Sequence, residues 1–279
     1  MGHRAQRLTS QAVVLAAGLG TRMRRVETAA DLSVPQRGAA ARGLKAMIPV
    51  GRPFLDHVLS GLADAGYSRV CLVIGAGEAH SEIRRYYSGP GRPARIALEF
   101  AVQRWPLGTA DAVLAAEPFA GGEPVVVLNA DNLYPRPALT ALGSLPRAGL
   151  VGFRRSSLIR EGNIPADRIT AFALIEVDGD GELSRIIEKP NLEEAASFGE
   201  DPLVSMNAWL LPPTIYAACR AIRPSPRGEL ELQGAVRHSI ERLGERYRVI
   251  PSDEGVLDLS TPEDIAAVTT RLGHLEARP

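Results

Sequence analysis

The sequence predicts a three-layer α/β/α fold around a mixed central sheet. Three observations carry that prediction. In the first half, short β-branched apolar runs alternate with amphipathic stretches of helical period. In the second half, four apolar runs follow one another closely, with an Asp-Gly-Asp-Gly turn between two of them. The chain is 279 residues long and 45% apolar, enough to bury a core.

In order, Ala12–Ala16, Val70–Ile74, Ile96–Phe100 and Val125–Leu128 read as buried strands bounded by Gly or Pro. Phe54–Ala65, Ala79–Tyr87 and Thr109–Ala116 carry apolar residues at helical spacing between them, so the first sheet segment is largely parallel. Ligands of such sheets bind beyond the carboxyl ends of the strands. Leu150–Phe153, Ile169–Val177, Glu182–Ile187 and Val204–Leu211 read as further strands, with Asp178–Gly181 as a turn. Helical patterns follow at Pro213–Ala221, Leu230–Leu243 and Pro262–Leu272, the last opened by Ser260-Thr261-Pro262-Glu263-Asp264. Val26–Gly43, rich in Ala, Gly and Arg, reads as a long loop. The expectation is a single domain over 1–279, with one half at 11–150, a second at 151–260 closing over it, and a C-terminal helix at 261–273.

Charge and composition exclude several classes. Lys+Arg and Asp+Glu both number 32, which leaves no net charge to hold a nucleic-acid backbone or an anionic membrane non-specifically. No apolar run reaches the eighteen or so residues of a membrane span, and the six apolar residues after Arg4 and Arg7 are too few for a signal-peptide core. Cys71 and Cys219 are too few for a disulfide scaffold or a cysteine-rich zinc site, and both sit in apolar surroundings. The five histidines show no metal-ligand spacing. A cytoplasmic globular protein is expected; an assembly of identical copies is compatible with the sequence but not specified by it.

The basic residues are uneven. Thirty of the 32 are arginine, and only Lys45 and Lys189 are lysine. An ammonium is a compact point charge suited to a phosphate oxygen, whereas a guanidinium is a wider fork. The first strand runs into Leu15-Ala16-Ala17-Gly18-Leu19-Gly20-Thr21-Arg22. Glycines there let backbone N–H groups turn toward an anion. No Gly-Lys-Ser/Thr follows, and Met23 stands where the dinucleotide fingerprint needs its third glycine. Asp131 ends a strand and Asp258 precedes a helix; each position equally suits a turn residue or a cap.

These segments, in order, resemble the sugar-1-phosphate nucleotidyltransferases, most closely the glucose-1-phosphate thymidylyltransferase and uridylyltransferase branches. The resemblance rests on LAAGLGTR followed by LKAMIPV, and on Gln103 with Pro106-Leu107-Gly108-Thr109-Ala110. It continues through Leu128-Asn129-Ala130-Asp131-Asn132, Glu188-Lys189-Pro190, Arg227-Gly228-Glu229-Leu230-Glu231 and Leu257–Glu263. It implies a Rossmann-like nucleotidyltransferase fold. It also implies a nucleoside triphosphate, UTP or dTTP in preference, and a sugar-1-phosphate as substrates, giving a nucleotide sugar and pyrophosphate.

The resemblance assigns roles residue by residue. Arg22, Lys45 and Lys189 would be catalytic cations: Arg22 on the triphosphate tail, Lys45 near the reacting centre, Lys189 on the sugar phosphate. Leu15, Ala16, Ala17, Gly18, Gly20, Thr21, Gln103, Gly108 and Thr109 would bind the nucleotide, Gln103 and Gly108 reading the imide edge of the base. Asn132, Ala173, Glu188 and Asn207 would face the sugar. Asp131 and Asp258 would hold Mg²⁺ through carboxylate oxygens, as that ion prefers.

Three further expectations follow. Ala130, Ala173 and Ala208 stand where the thymidylyltransferases have Gly, so a substrate other than glucose-1-phosphate is expected, with Trp209 adding an apolar face to its pocket. Val26–Gly43 resembles an insertion that closes over bound triphosphate with Arg37 or Arg42. The last helical pattern ends near Leu272, leaving no room for the C-terminal extensions of some relatives. Cytidylyl- or adenylyltransferases acting on another phosphorylated alcohol are the rival class; GTADAV at Gly108–Val113 also occurs in adenylyl-transferring relatives. A nucleotide-sugar-consuming glycosyltransferase would not need a triphosphate cradle, and a non-catalytic paralogue would not need the complete set of cations and acids.

Overall fold

The computed structural model describes residues 8–25, 32–273 and 275–279. The first strand, β1 (Gln11–Leu15), lies at the centre of a nine-stranded mixed sheet. Its side chains alternate: Ala12 and Val14 enter one apolar cluster and Val13 the opposite one, all at 1% exposure or less. A strand buried on both faces needs apolar residues at every position, which is why it reads as a continuous run.

After the Gly18–Arg25 turn comes α1 (Val34–Ala41), which corrects the expected Val26–Gly43 loop in the described part. Ser33 and Gln36 cap it reciprocally, and Pro35 occupies its first turn. Gln36 Nε2 also donates to the Pro49 carbonyl at 3.0 Å, tying the helix to the body of the protein. The rest of the expected insertion, residues 26–31, lies outside the described residues. The short pair β2 (Pro49–Val50) and β3 (Arg52–Pro53) leads into α2 (Phe54–Asp64). Then β4 (Arg69–Gly75), α3 (Glu78–Tyr87), β5 (Ala97–Gln103), α4 (Thr109–Ala115), α5 (Glu117–Ala120) and β6 (Val125–Asn129) complete the first half. In register, β6, β1, β4 and β5 are parallel neighbours, as the alternation predicts.

The second half continues the same sheet. After β7 (Asn132–Leu133), α6 (Arg136–Gly143), β8 (Gly149–Arg154) and α7 (Arg155–Arg160), the chain forms the antiparallel hairpin β9 (Ala173–Val177) and β10 (Leu183–Glu188). The expected strand from Ile169 starts later, because Ala166–Ala171 winds into a 3-10 turn that carries Arg168. A short α8 (Leu192–Ala196) precedes β11 (Leu203–Leu211). That strand joins the two halves: Leu203–Ser205 pair with β9 and Trp209–Leu211 with β6. Its other edge pairs with β8 and slips register between Ser205 and Trp209, so Asn207 sits in the irregular segment with φ +57°. The helices α9 (Ile215–Ala221) and α10 (Leu232–Leu243), the strands β12 (Arg248–Ser252) and β13 (Leu257–Asp258), and α11 (Pro262–Leu272) finish the chain.

Two apolar clusters line the two faces of the sheet. Residues of α2, α3, α6 and α11 pack on one, and residues of α4, α9 and α10 on the other. Cys71 and Cys219 are buried and free, and burial pushes both thiols up to about 12, so they are inert core residues. Among the described residues no helix is long and apolar enough to cross a membrane.

Candidate active site

The carboxyl ends of β1, β5 and β6 open into a cavity of about 380 Å³. The glycine-rich turn from Leu15 to Thr21 forms one wall. It is held at the sheet edge by Ala16 N–H to Val73 O at 2.8 Å and Ala130 N–H to Leu15 O at 3.0 Å. Gly20 (φ +60°) packs backbone to backbone on Gly43 (φ +73°), so a Cβ on Gly20 would overlap the Gly43 main chain. This contact couples the turn to the segment that presents Lys45. Lys45 opens a 3-10 turn, and its Nζ lies 2.8 Å from Asp131 Oδ2.

Gln103, at the end of β5, and Gly108, Thr109 and Ala112, at the start of α4, form the facing wall. Gly108 has φ +126°, and a Cβ there would lie 2.5 Å from the Leu230 carbonyl oxygen. Leu230 clamps the loop by accepting from Ala110 N–H at 2.8 Å and donating to Leu107 O at 2.7 Å. The Thr109 hydroxyl accepts from Leu232 N–H at 2.9 Å, supplying a start to α10. The resembling Arg227–Glu231 segment is therefore the buttress of the opposite wall.

The two acids meet through β7 and β13. Asp258 pairs in register with Asn132, and Leu259 N–H donates to the Asp131 carbonyl at 2.8 Å. Asp258 is 2% exposed; Asn132 Nδ2 (2.8 Å) and Ser260 Oγ (3.1 Å) donate to its Oδ1, and Arg168 Nη2 (2.6 Å) to its Oδ2. Burial, and then the neighbouring Asp131 charge, push the Asp258 carboxyl up to about 6. Both acids supply the hard carboxylate oxygens that Mg²⁺ prefers; of the two, Asp131 lines the cavity, whereas both oxygens of Asp258 already accept from side-chain donors. No cluster of three or more His, Cys, Asp or Glu with metal-binding geometry occurs among the described residues.

Asn132, expected at the sugar, is placed differently. At 2% exposure its amide donates to Asp258 and accepts from Asn129 Nδ2 at 3.2 Å, so it supports the carboxylate. Ala173 also departs from expectation: its methyl is 1% exposed and packs in the core cluster between Glu188 and Ser205. Trp209 is fully buried, stacked edge-on against Tyr247 with ring centroids 6.0 Å apart, and offers no face to a pocket. Ala208 is 1% exposed and is likewise a core residue. Ala130, at 4%, lines the main cavity.

A second cavity, of about 310 Å³, opens beside Glu188, and Glu229 lines both. Burial pushes the Glu188 carboxyl up to about 7, against the lowering charges of Lys189 and Arg227. Lys189 is exposed, and its φ is +49°. Asn207 accepts from Gln233 Nε2 at 2.9 Å and from Trp209 Nε1 at 3.3 Å. Among the described residues, Lys189 and Asn207 are the two non-glycine positions with positive φ, a conformation that concentrates at functional sites. Arg22 is exposed on the Thr21–Arg24 turn and does not line the cavity.

His80, Arg168 and Asp111 carry no signal in the sequence of the places they take in the fold. His80 lines the main cavity at 8% exposure; burial holds it below its ordinary value, and it hydrogen-bonds the Gly18 backbone. A Cβ on Gly75 would lie 2.8 Å from its Nδ1, so that glycine makes room for the ring. Arg168 bridges Asp258 and Asp264 from a 3-10 turn with no motif around it.

A glycine-rich turn at the carboxyl edge of a parallel sheet, faced across one cavity by the Lys45–Asp131 pair, defines an α/β protein whose cavity offers backbone N–H groups and a cation to an anionic ligand. The chain belongs to the nucleotidyl transferase family, whose model matches residues 11–273. It is 30% identical over 241 residues to a glucose-1-phosphate thymidylyltransferase of Streptomyces antibioticus, covering 83% of this chain and 57% of that protein. It is 29% identical over 263 residues to the UTP–glucose-1-phosphate uridylyltransferase AglF of Haloferax volcanii, covering 94% of this chain and 96% of that one. The chain thus spans little more than half of the first relative and nearly all of the second. A UDP-glucose pyrophosphorylase solved with UDP-glucose shares the fold with a TM-score of 0.72 at 18% identity, over 95% of this chain and 99% of that one.

Proposed function

We propose that the protein transfers a nucleotidyl group from UTP or dTTP to a sugar-1-phosphate, releasing pyrophosphate and a nucleotide sugar. The observation that carries this is the shared cavity. The glycine-rich turn, Lys45 with Asp131, and the Gln103–Gly108 wall line one chamber, and Glu229 leads from it to a second chamber beside Glu188.

In this reading the backbone of Leu15–Thr21 cradles the triphosphate, and Gln103 and Gly108 meet the pyrimidine edge. A sugar-phosphate oxygen attacks the α-phosphorus, the bond from that phosphorus to the bridging oxygen breaks, and pyrophosphate leaves in line. Negative charge gathers on the oxygens around the reacting phosphorus, so fixed cations supply most of the acceleration. Lys45 neutralises that charge near the reacting centre, Lys189 holds the incoming phosphate, and Arg22 closes on the triphosphate tail. Glu188 and Asn207 face the sugar. Asp131 and Asp258 would hold Mg²⁺, with Asp258 giving up one of its side-chain donors to the ion, which would supply further neutralisation of the phosphate oxygens.

A grid of the nucleoside triphosphates against sugar-1-phosphates with Mg²⁺, scored for pyrophosphate, tests the reading. Release with UTP or dTTP and a hexose-1-phosphate is expected. Release with CTP or ATP alone would assign the chain to the rival class, and no release with any pair would overturn nucleotidyl transfer.

A further inference from the structure

Gln103 is oriented by two acceptors. Its Nε2 donates to the Gly108 carbonyl at 2.9 Å and to Asp111 Oδ2 at 2.9 Å. A carbonyl and a carboxylate have no hydrogen to give. Turning the amide over would set Oε1 against two acceptor oxygens, and at 6% exposure little water reaches the residue to relieve them. Both Nε2 hydrogens are therefore committed inside the protein. Oε1 is the atom left to a ligand, on a residue that lines the nucleotide cavity.

The frame around this pair does not depend on it. Asp111 sits in the first turn of α4, three residues after Gly108, and that turn is fixed to Leu230 and Leu232 by the bonds of the buttress. Gln103 ends β5, where Gly75 of β4 is its partner in register. Both side chains are thus delivered by elements held elsewhere, and the Gln103–Asp111 bond sets only which end of the amide points outward.

We propose that Asp111 is a specificity-determining positioning residue: its carboxylate locks the Gln103 amide so that the cavity presents an acceptor, not a donor, to the pyrimidine. Uracil and thymine carry a hydrogen on N3 and cytosine carries a lone pair there, so an acceptor locked opposite N3 takes the first two and repels the third. A wrongly presented polar group in a buried site is the stronger form of discrimination, because it leaves both partners unpaired. The proposal rests on the reading of Gln103 and Gly108 as the base-reading pair.

The test compares UTP with CTP in Asp111→Asn, alone and in a Gln103→Ala background. An asparagine at 111 can accept from Nε2 or donate to Oε1, so the flipped amide is opposed by the Gly108 carbonyl alone and gains a donor that the wild-type carboxylate cannot give. The expected result is a fall of at least tenfold in the UTP-to-CTP ratio of kcat/KM, made up of a loss on UTP and a gain on CTP, with KM for the sugar-1-phosphate unchanged. In the Gln103→Ala background the second substitution should leave the ratio where it is, because Asp111 acts through Gln103. Equilibrium binding of UTP and CTP, measured without turnover, should give the same pattern and covers a variant that folds but works slowly. An unchanged ratio in Asp111→Asn, an equal loss on both nucleotides, or the same shift without Gln103 would overturn the proposal. A wild-type enzyme indifferent to UTP and CTP would overturn the base reading as well, and is seen before any variant is made.

Discussion

Lys45 Nζ stands 2.8 Å from Asp131 Oδ2, joining a residue that follows the glycine-rich turn to one that follows β6. The side chains are 16% and 26% exposed, so the pair sits at the cavity wall and is reached from it. In the proposed reaction, a cation held ready by a carboxylate beside the cavity would be preorganised for the charge on the phosphate oxygens.

That relationship predicts the behaviour of the whole cationic corner. Lys45→Ala should lower turnover by roughly 10²–10³ with little change in folding, as measured by pyrophosphate release and thermal melting. Asp131→Asn and Asp258→Asn should each raise the Mg²⁺ concentration needed for half-maximal rate, and EDTA should abolish activity. Activity that survives EDTA would sink the metal assignment.

Lys189 sits at φ +49°, a conformation that costs an L-residue of this kind about 1–2 kcal/mol relative to its ordinary regions. Lys189→Gly should therefore raise the melting temperature by about 2–4 °C per kcal/mol relieved, while turnover falls roughly 10²–10³. Lys189→Arg should be nearly as slow as Lys189→Ala, because a planar fork does not replace a point charge. Turnover near wild type in the Arg variant would remove the phosphate role.

Glu188 predicts a pH dependence of stability. Its carboxyl is pushed from 4.5 up to about 7, chiefly by burial. The folded protein therefore holds a proton there that the unfolded chain has released, and this contribution is complete below about 4.5 and lost as pH rises through about 7. Glu188→Gln should flatten that part of the melting-temperature profile between pH 4.5 and 7. An identical slope in wild type and variant would show that Glu188 ionises as freely in the folded protein as in solution.

Ala173 predicts a loss of stability without a change of substrate. Its methyl lies in the core at 1% exposure, so Ala173→Gly removes buried apolar surface and adds backbone freedom to a central strand. The cost should be about 1.5 kcal/mol. The preference among sugar-1-phosphates should stay as it is, and a gain specific to glucose-1-phosphate would return Ala173 to the sugar pocket.

The sequence alone determined the strands of the parallel segment, the glycine-rich turn at the sheet edge, and the order of residues along the cavity rim. Each of these is local. β1 must be apolar on both faces to sit at the centre of the sheet, and Gly20 and Gly108 are needed where backbones approach too closely for a Cβ. The capping of α11 by Thr261 and Asp264 is likewise written in adjacent residues, and its expected bounds, Pro262–Leu272, are those observed. Only the tertiary structure decided what Asn132, Ala173 and Trp209 do, because whether a strand residue faces a cavity or the core depends on which neighbour covers it. The same holds for partners far apart in the chain. Arg168 on Asp258, Leu230 on the Gly108 loop and Lys45 on Asp131 are brought together by sheet pairing and helix packing. Long-range contacts of this kind carry no spacing that a sequence could display, since their geometry exists only once both segments are pinned to the same sheet.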